Sequence, residues 1–284
     1  MRQKPVPVYQ ALSAHIFSTA CFRRILVTAV LFVLLFALSQ SSHAYMLPSE
    51  KISKQHEDYV QYPVASAVYA LEKNIAQVGL AYRQANREYL QAAGLLKRGE
   101  RVLAKRLLLP LASNGYRDAQ FLLGVLYDAE EGVVDPQKNL KQSFFWYKAA
   151  ALQGHVDAQH NLGMAYARGE GVEADMQKAL YWWERAARQG NADSQYNLGI
   201  VYAMGVTGVE QDLQQARNWW LRAAEKGDAA AQYNLGALYA SDMDGKQNYC
   251  EAAHWWYLSQ ANGFSQAYVA LENLGAMIDI SACE

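Results

Sequence analysis

Four stretches of the chain can be laid over one another: NLKQSFFWYKAAALQG (139–154), DMQKALYWWERAARQG (175–190), DLQQARNWWLRAAEKG (212–227) and NYCEAAHWWYLSQANG (248–263). This recurrence constrains the fold more than any composition can. A short unit that cannot bury its own apolar face must stack on its copies, and the stack becomes one continuous core.

Aligned on the first tryptophan, each column has a physical reason. Seven residues before it stand Asn139, Asp175, Asp212 and Asn248, side chains that accept from the orphan amides at a helix start. Gln142, Gln215 and Glu251 follow three later as in a capping box, from which Lys178 departs. The buried face then reads Ser143/Ala179/Ala216/Ala252, Trp146/Trp182/Trp219/Trp255 and Ala150/Ala186/Ala223/Ser259, at helical spacing. Gly154, Gly190, Gly227 and Gly263 stop the helix. The first tryptophan of each pair is expected in the core. Its neighbour (Tyr147, Trp183, Trp220, Trp256), turned ~100° around the helix, is expected against the next repeat, with an exposed stacking platform as the alternative.

Another helix precedes each of these, starting four residues after the preceding glycine at Ala119, Ala158, Ser194 and Ala231. Leu123, Leu162, Leu198 and Leu235, then Tyr127, Tyr166, Tyr202 and Tyr239, continue one apolar stripe. Gly124, Gly163, Gly199 and Gly236 sit beside it, where glycine costs a helix about 1 kcal/mol relative to alanine. Four such costs at equivalent places imply close helix–helix approach. The joining loops GVVDPQ, GEGVEA and GVTGVEQ are glycine-rich, while DMDGKQ loses the Gly-Val pair.

The combination A-x3-LG-x2-Y, a GV loop, an Asp/Asn cap and WW-x-x-AA-x-x-G resembles the Sel-one-like repeat family, relatives of the tetratricopeptide repeat. The resemblance implies an all-α fold, an α/α superhelical solenoid of antiparallel helix pairs, acting as a non-catalytic scaffold for protein–protein interaction. Repeats are expected at 118–156, 157–192, 193–229 and 230–264, and residues 265–284 keep Ala267, Leu271 and Leu274 as a C-terminal capping helix. Upstream, 88–117 reads as a degenerate repeat with Leu107 in the tryptophan column, and 45–87 as a helical N-terminal cap broken at Pro63.

Residues 1–44 carry Arg2, Lys4, Arg23 and Arg24 before the apolar run 25–38, then small residues at Ser42 and Ala44. That is the grammar of a secretory signal cleaved after Ala44, the alternative being an uncleaved membrane anchor through residues 25–38. The run is shorter than the ~20 residues a spanning helix needs. Cys21 precedes the apolar run, so a lipoprotein site is not expected. An exported, periplasmic protein follows, or one held at the inner membrane and facing the periplasm. The formal net charge is -1, and without residues 1–44 the chain holds 22 basic against 27 acidic residues, which argues against nucleic acid as partner. Export permits a disulfide between Cys250 and Cys283, compatible with the packing of stacked helical hairpins; the alternative is two unpaired thiols.

Chemistry is hard to find. There is no phosphate loop, paired-cysteine metal spacing or helical HExxH, so neither a metal nor a cofactor is expected. His160 shares a column with Phe121, Tyr196 and Tyr233 and reads as a spacer; His155 lies five residues away and points elsewhere. Glu130, Glu131, Glu170 and Glu173 read as solvated loop charge, and His254 as helix surface. Some cysteine-rich members of the similar family are associated with β-lactam hydrolysis or binding, but they carry a cysteine pair in nearly every repeat, and the first three repeats here have none. The columns the core does not need are Asn161, Asn197 and Asn234, flanked by Gln159, Gln195, Gln232, Tyr196 and Tyr233. Such amides can bind the backbone of a protein partner on a concave surface, or they can tie helices together; Leu122 interrupts the column in the first repeat. A binder of cell-wall glycopeptide or another small ligand is the alternative function.

Overall fold

The computed structural model describes residues 57–129, 136–206, 208–241 and 247–279, with side chains from Lys73 onward except Ile75 and Ala76. The leader 1–44, Glu130, Glu131 and Cys283 lie outside the described residues. Among the described residues there are eleven helices and no strand: α1 (Glu57–Lys97), α2 (Arg101–Ser113), α3 (Arg117–Asp128), α4 (Pro136–Leu152), α5 (Val156–Arg168), α6 (Met176–Arg188), α7 (Ala192–Met204), α8 (Leu213–Ala224), α9 (Ala229–Ala240), α10 (Tyr249–Ala261) and α11 (Ser265–Gly275). None of them is long and apolar enough to cross a membrane. The chain divides into two compact units, residues 1–119 and 120–284.

In the first unit the expected break at Pro63 does not occur, and neither does a boundary at residues 87 and 88. Helix α1 runs unbroken through both. A three-residue turn with Gly99 at φ 78° leads into α2. Ala104, Leu108, Leu111 and Ala112 are buried there in the columns that the intact repeats fill with alanine and aromatic residues, while Leu107 is half-buried. The Tyr116 hydroxyl donates to Asn86 Oδ1 at 3.0 Å and its ring lies 5.5 Å from that of Tyr89. Burial there pushes the Tyr116 hydroxyl up to about 12.

In the second unit the helix pairs follow the repeat. The apolar stripe is the core: Leu123, Leu162, Leu198 and Leu235 are completely buried, as are Ala158, Ser194 and Ala231. Each second helix closes as expected, with Gly154, Gly190, Gly227 and Gly263 at φ between 85° and 96°. His155 N donates to Ala150 O and Gly154 N to Ala151 O, so the last carbonyls are satisfied.

Helix starts differ from expectation in two ways. First helices begin two residues earlier than expected, because the residue after each closing glycine is itself the cap. His155 Nδ1, Asn191 Oδ1 and Asp228 Oδ1 accept from the amides of Ala158, Ser194 and Ala231 at 3.3, 2.8 and 2.7 Å. Among second helices, Asp175, Asp212 and Asn248 cap as expected, accepting from the amides of Lys178, Gln215 and Glu251 at 3.0, 2.9 and 3.1 Å. Asn139 is not a cap. Helix α4 begins at Pro136, whose missing N–H and fixed φ suit a first turn, and Asn139 lies inside it. The capping-box return is also absent at Asp175, Asp212 and Asn248. Their backbone amides donate instead to the carbonyls of Tyr166, Tyr202 and Tyr239, each at 2.8 Å, which closes the loop back onto the first helix.

The second aromatic column departs from its expected place, while the first keeps its core place at Trp146 and Trp182. The second aromatic does not face the next repeat. Its ring lies on the glycine of its own first helix: Tyr147 on Gly124, Trp183 on Gly163, Trp220 on Gly199 and Trp256 on Gly236. A Cβ at Gly163 would stand 2.5 Å from the Trp183 ring, so these glycines are seats for side chains. The indole N–H groups of Trp183, Trp220 and Trp256 donate to the carbonyls of His160, Tyr196 and Tyr233 at 3.2, 3.2 and 3.0 Å. The first tryptophan joins apolar clusters that draw on more than one repeat. Trp219 packs on the cluster holding Trp182 and Trp183, and Trp255 on the cluster holding Trp220 and Leu235. Trp146 and Trp182 are buried, but Trp219 and Trp255 only half so.

This arrangement predicts an ordering of costs. Trp183→Ala removes a 4 % exposed ring and its hydrogen bond, and should cost ~3–5 kcal/mol in urea unfolding. Trp219→Ala, at a half-buried position, should cost less. Equal losses would contradict the assignment of the second column as the deeper one.

Candidate functional site

The first helices carry the residues expected to bind. Glutamines come first along each. Gln159, Gln195 and Gln232 are at most 3 % exposed, and their amide groups donate across the seam to the carbonyls of Ala151, Ala187 and Ala224 at 3.2, 2.9 and 3.0 Å. Gln189 donates back to Gln159 Oε1 at 2.6 Å, Asn262 to Gln232 Oε1 at 2.9 Å, and Gln153 to Gln120 Oε1 at 2.7 Å. These bonds tie adjacent helices together. Gln195 alone lacks the return bond: its Oε1 is buried without a partner. Lys226 stands where the other repeats have glutamine or asparagine, and its ammonium goes to the Gly190 carbonyl.

Asn161, Asn197 and Asn234 are half-buried and occupy the same place on α5, α7 and α9. Asn161 donates to the Tyr147 hydroxyl, and Asn197 Nδ2 to the Met164 sulfur at 3.3 Å. One turn on from each lies an apolar, partly exposed side chain, Met164, Ile200 or the smaller Ala237, so the face alternates amide and apolar groups. Tyr196 and Tyr233 are half-buried and wedged at seams; the Tyr233 ring is 5.1 Å from that of Phe264. His160, in the same column, bonds Ser194 Oγ through Nδ1 at 2.9 Å, and Phe121 stacks on His155 at 4.2 Å. The column is thus a spacer between repeats. Burial lowers the His160 pKa despite Asp193 and Asp157, with Arg168 adding to the fall.

One place departs from the common plan. In the first repeat Tyr147 replaces the indole, and its hydroxyl is hydrogen-bonded to Asp128, Asn161 and Ser143. Desolvation raises the pKa of the Asp128 carboxyl, opposed by the Tyr147 bond and the charge of Arg168. Burial drives the tyrosine hydroxyl well above its ordinary range. A cavity of about 170 Å³ opens here, with Phe144, Met164, Arg168 and Glu170 also in its wall.

Elsewhere, His254 is exposed against the edge of Trp255, and Glu170 lies 3.6 Å from Arg168. Cys250 is disulfide-bonded, at the start of α10. Among the described residues, no group of three or more His, Cys, Asp or Glu is placed to hold a metal. The sequence reading missed the first-helix caps and the Asp128–Tyr147 pair. The first had a signal in the residues after Gly154, Gly190 and Gly227, namely His155, Asn191 and Asp228; the second had one in two columns that change together.

Two measurements follow. Because the folded His160 resists protonation, acidification from pH 7.5 through 6.5 toward 5.5 favours the unfolded chain, whose histidine takes the proton. His160→Tyr, the residue at positions 196 and 233, should flatten that loss, whereas parallel slopes would contradict it. Lys226→Gln should give Gln195 its missing donor and raise stability by about 1 kcal/mol; a lowered urea midpoint would refute that geometry.

Comparison with known proteins agrees with this geometry. The Sel1 repeat model matches residues 117–155, 156–191, 192–228 and 229–263, just over half of the chain. The Sel1 repeat protein of Oxalobacter formigenes has a crystal structure 30% identical to this chain, at a TM-score of 0.58, over 64% of this chain and 73% of that one. The protein c5321, a protective antigen of uropathogenic Escherichia coli with the SLR fold, is 34% identical, at a TM-score of 0.56, over 60% of this chain and 36% of that one. The rat DAP3-binding cell death enhancer 1 is 36% identical over 89 residues, 31% of this chain and 16% of that protein. The chain thus spans about a sixth of that relative, and a little over a third of the antigen. Proteins of this type generally mediate protein–protein interaction and are generally non-catalytic. With four registered repeats, the indole-on-glycine seats and the closing glycines all in place, the chain belongs to the Sel1 repeat family.

Proposed function

We propose that this protein is a non-catalytic scaffold exported to the cell envelope, where the first-helix face of its repeats binds an extended segment of a protein partner. The observation that carries this reading is the row of half-buried asparagines, Asn161, Asn197 and Asn234, each beside an apolar or small side chain. A primary amide both donates and accepts, so a row of them suits the regularly spaced N–H and C=O groups of an extended backbone. Family membership supports the scaffold class. The envelope location rests on the basic, apolar and small-residue succession of residues 1–44, read as a signal or an anchor.

The test is crosslinking of the full chain in cells, then capture and mass spectrometry, beside an Asn161→Ala/Asn197→Ala/Asn234→Ala variant. Three amide contacts at about 1 kcal/mol each weaken binding roughly a hundredfold. One dominant protein partner, lost in the variant, is the expected result. Undiminished capture by the variant overturns the assigned face, and capture of glycan fragments alone replaces a protein partner with a cell-wall ligand.

A further inference from the structure

We propose that the cavity at the seam of the first two repeats takes one basic side chain, lysine or arginine, from the segment bound along the first-helix face. This rests on the reading of that face as a protein-binding surface and adds what one position of the bound segment must be.

The argument starts from a paired departure. Four residues after the seat glycine, the second, third and fourth repeats have Ala167, Ala203 and Ala240, and the ring on the glycine is Trp183, Trp220 or Trp256. The first repeat has Asp128 and Tyr147 instead. Both columns change together because they touch: the Tyr147 ring keeps its seat on Gly124, and its hydroxyl bonds the carboxylate one turn further along the same helix. Closing a seam needs no acid, since alanine and tryptophan do so three times in this chain.

Among the described residues, the network gives the carboxylate a single side-chain donor, the Tyr147 hydroxyl. Asn161, Ser143 and Asp128 lie beside the Tyr147 hydroxyl, and of the three only the carboxylate is purely an acceptor for its proton. A carboxylate has about four accepting positions, and a partly desolvated one is costly to leave short of donors. The cation that acts on it, Arg168, is shared with Glu170, and His160 in the wall favours its neutral form. Asp128 and Glu170 outweigh the one guanidinium, so the cavity is negative and disfavours an anion. Phe144 and Met164 give it apolar sides suited to the methylene stem of a long basic side chain, and the Phe144 ring attracts a cation. About 170 Å³ admits one side chain and excludes a folded element. Asn161 belongs both to this network and to the asparagine row, so the cavity adjoins the binding face.

The full chain is applied to an array of random decapeptides. Bound peptides should be enriched about tenfold for lysine or arginine over leucine and glutamate at one position. Asp128→Ala/Tyr147→Trp, which installs the pair found in the other repeats, should still bind peptides but lose that enrichment. Asp128→Asn keeps an acceptor for the tyrosine hydroxyl and should lose it too, with an unchanged circular dichroism spectrum. Peptides retained without a basic preference, or a preference that survives in both variants, overturn the cavity assignment alone. If no peptide is retained, the protein-binding reading of the face falls and the cavity assignment with it.

Discussion

The packing of an aromatic ring on a bare helix backbone is the contact on which the second unit depends. Glycine in a helix interior costs about 1 kcal/mol relative to alanine, and this chain accepts the cost in four first helices. In return the ring of Tyr147, Trp183, Trp220 or Trp256 approaches closer than any side chain would allow. Each indole then reaches a first-helix carbonyl with its N–H, so its one polar group is satisfied inside the core. One contact fixes separation and register of the two helices in a repeat. The adjacent tryptophan joins an apolar cluster drawn from more than one repeat.

Between repeats a different chemistry operates. Buried glutamines cross the seams to main-chain carbonyls, and the residue before each closing glycine answers them in three of four places. An unpaired buried amide is costly, so each seam prefers one register over its slips. Gly171 shows how closely the loops join this arrangement: a Cβ there would collide with the backbone at Leu140, in the preceding repeat. With core and seams so occupied, little is spare on the first helices except the asparagine row and the polar cavity beside it.

Much of this was legible because repetition separates signal from noise. The closing glycines, the apolar stripe and the caps at Asp175, Asp212 and Asn248 each rest on local chemistry that the structure repeats. The direction of the paired tryptophans was not legible: adjacent residues differ by ~100° around a helix, and nothing in the sequence says on which side the partner helix lies. The glycines held the clue, because a seat needs an occupant. Asn139 misled because Pro136 supplies a better start three residues earlier. Pro63 misled because a helix can run through proline, as α1 does. In the candidate site the glutamines looked like the asparagines in sequence, and only burial separates them: Gln159 is inaccessible while Asn161 is partly open.

The ring-on-glycine contact can be tested by a double-mutant cycle at Gly199 and Trp220, read as unfolding free energy in urea. In the natural background Gly199→Ala drives a methyl group into the indole and should destabilise despite alanine's helix propensity. In a Trp220→Ala background the ring is gone, and the same substitution should stabilise by up to about 1 kcal/mol. That reversal of sign is the predicted result. Equal effects in both backgrounds would contradict the account.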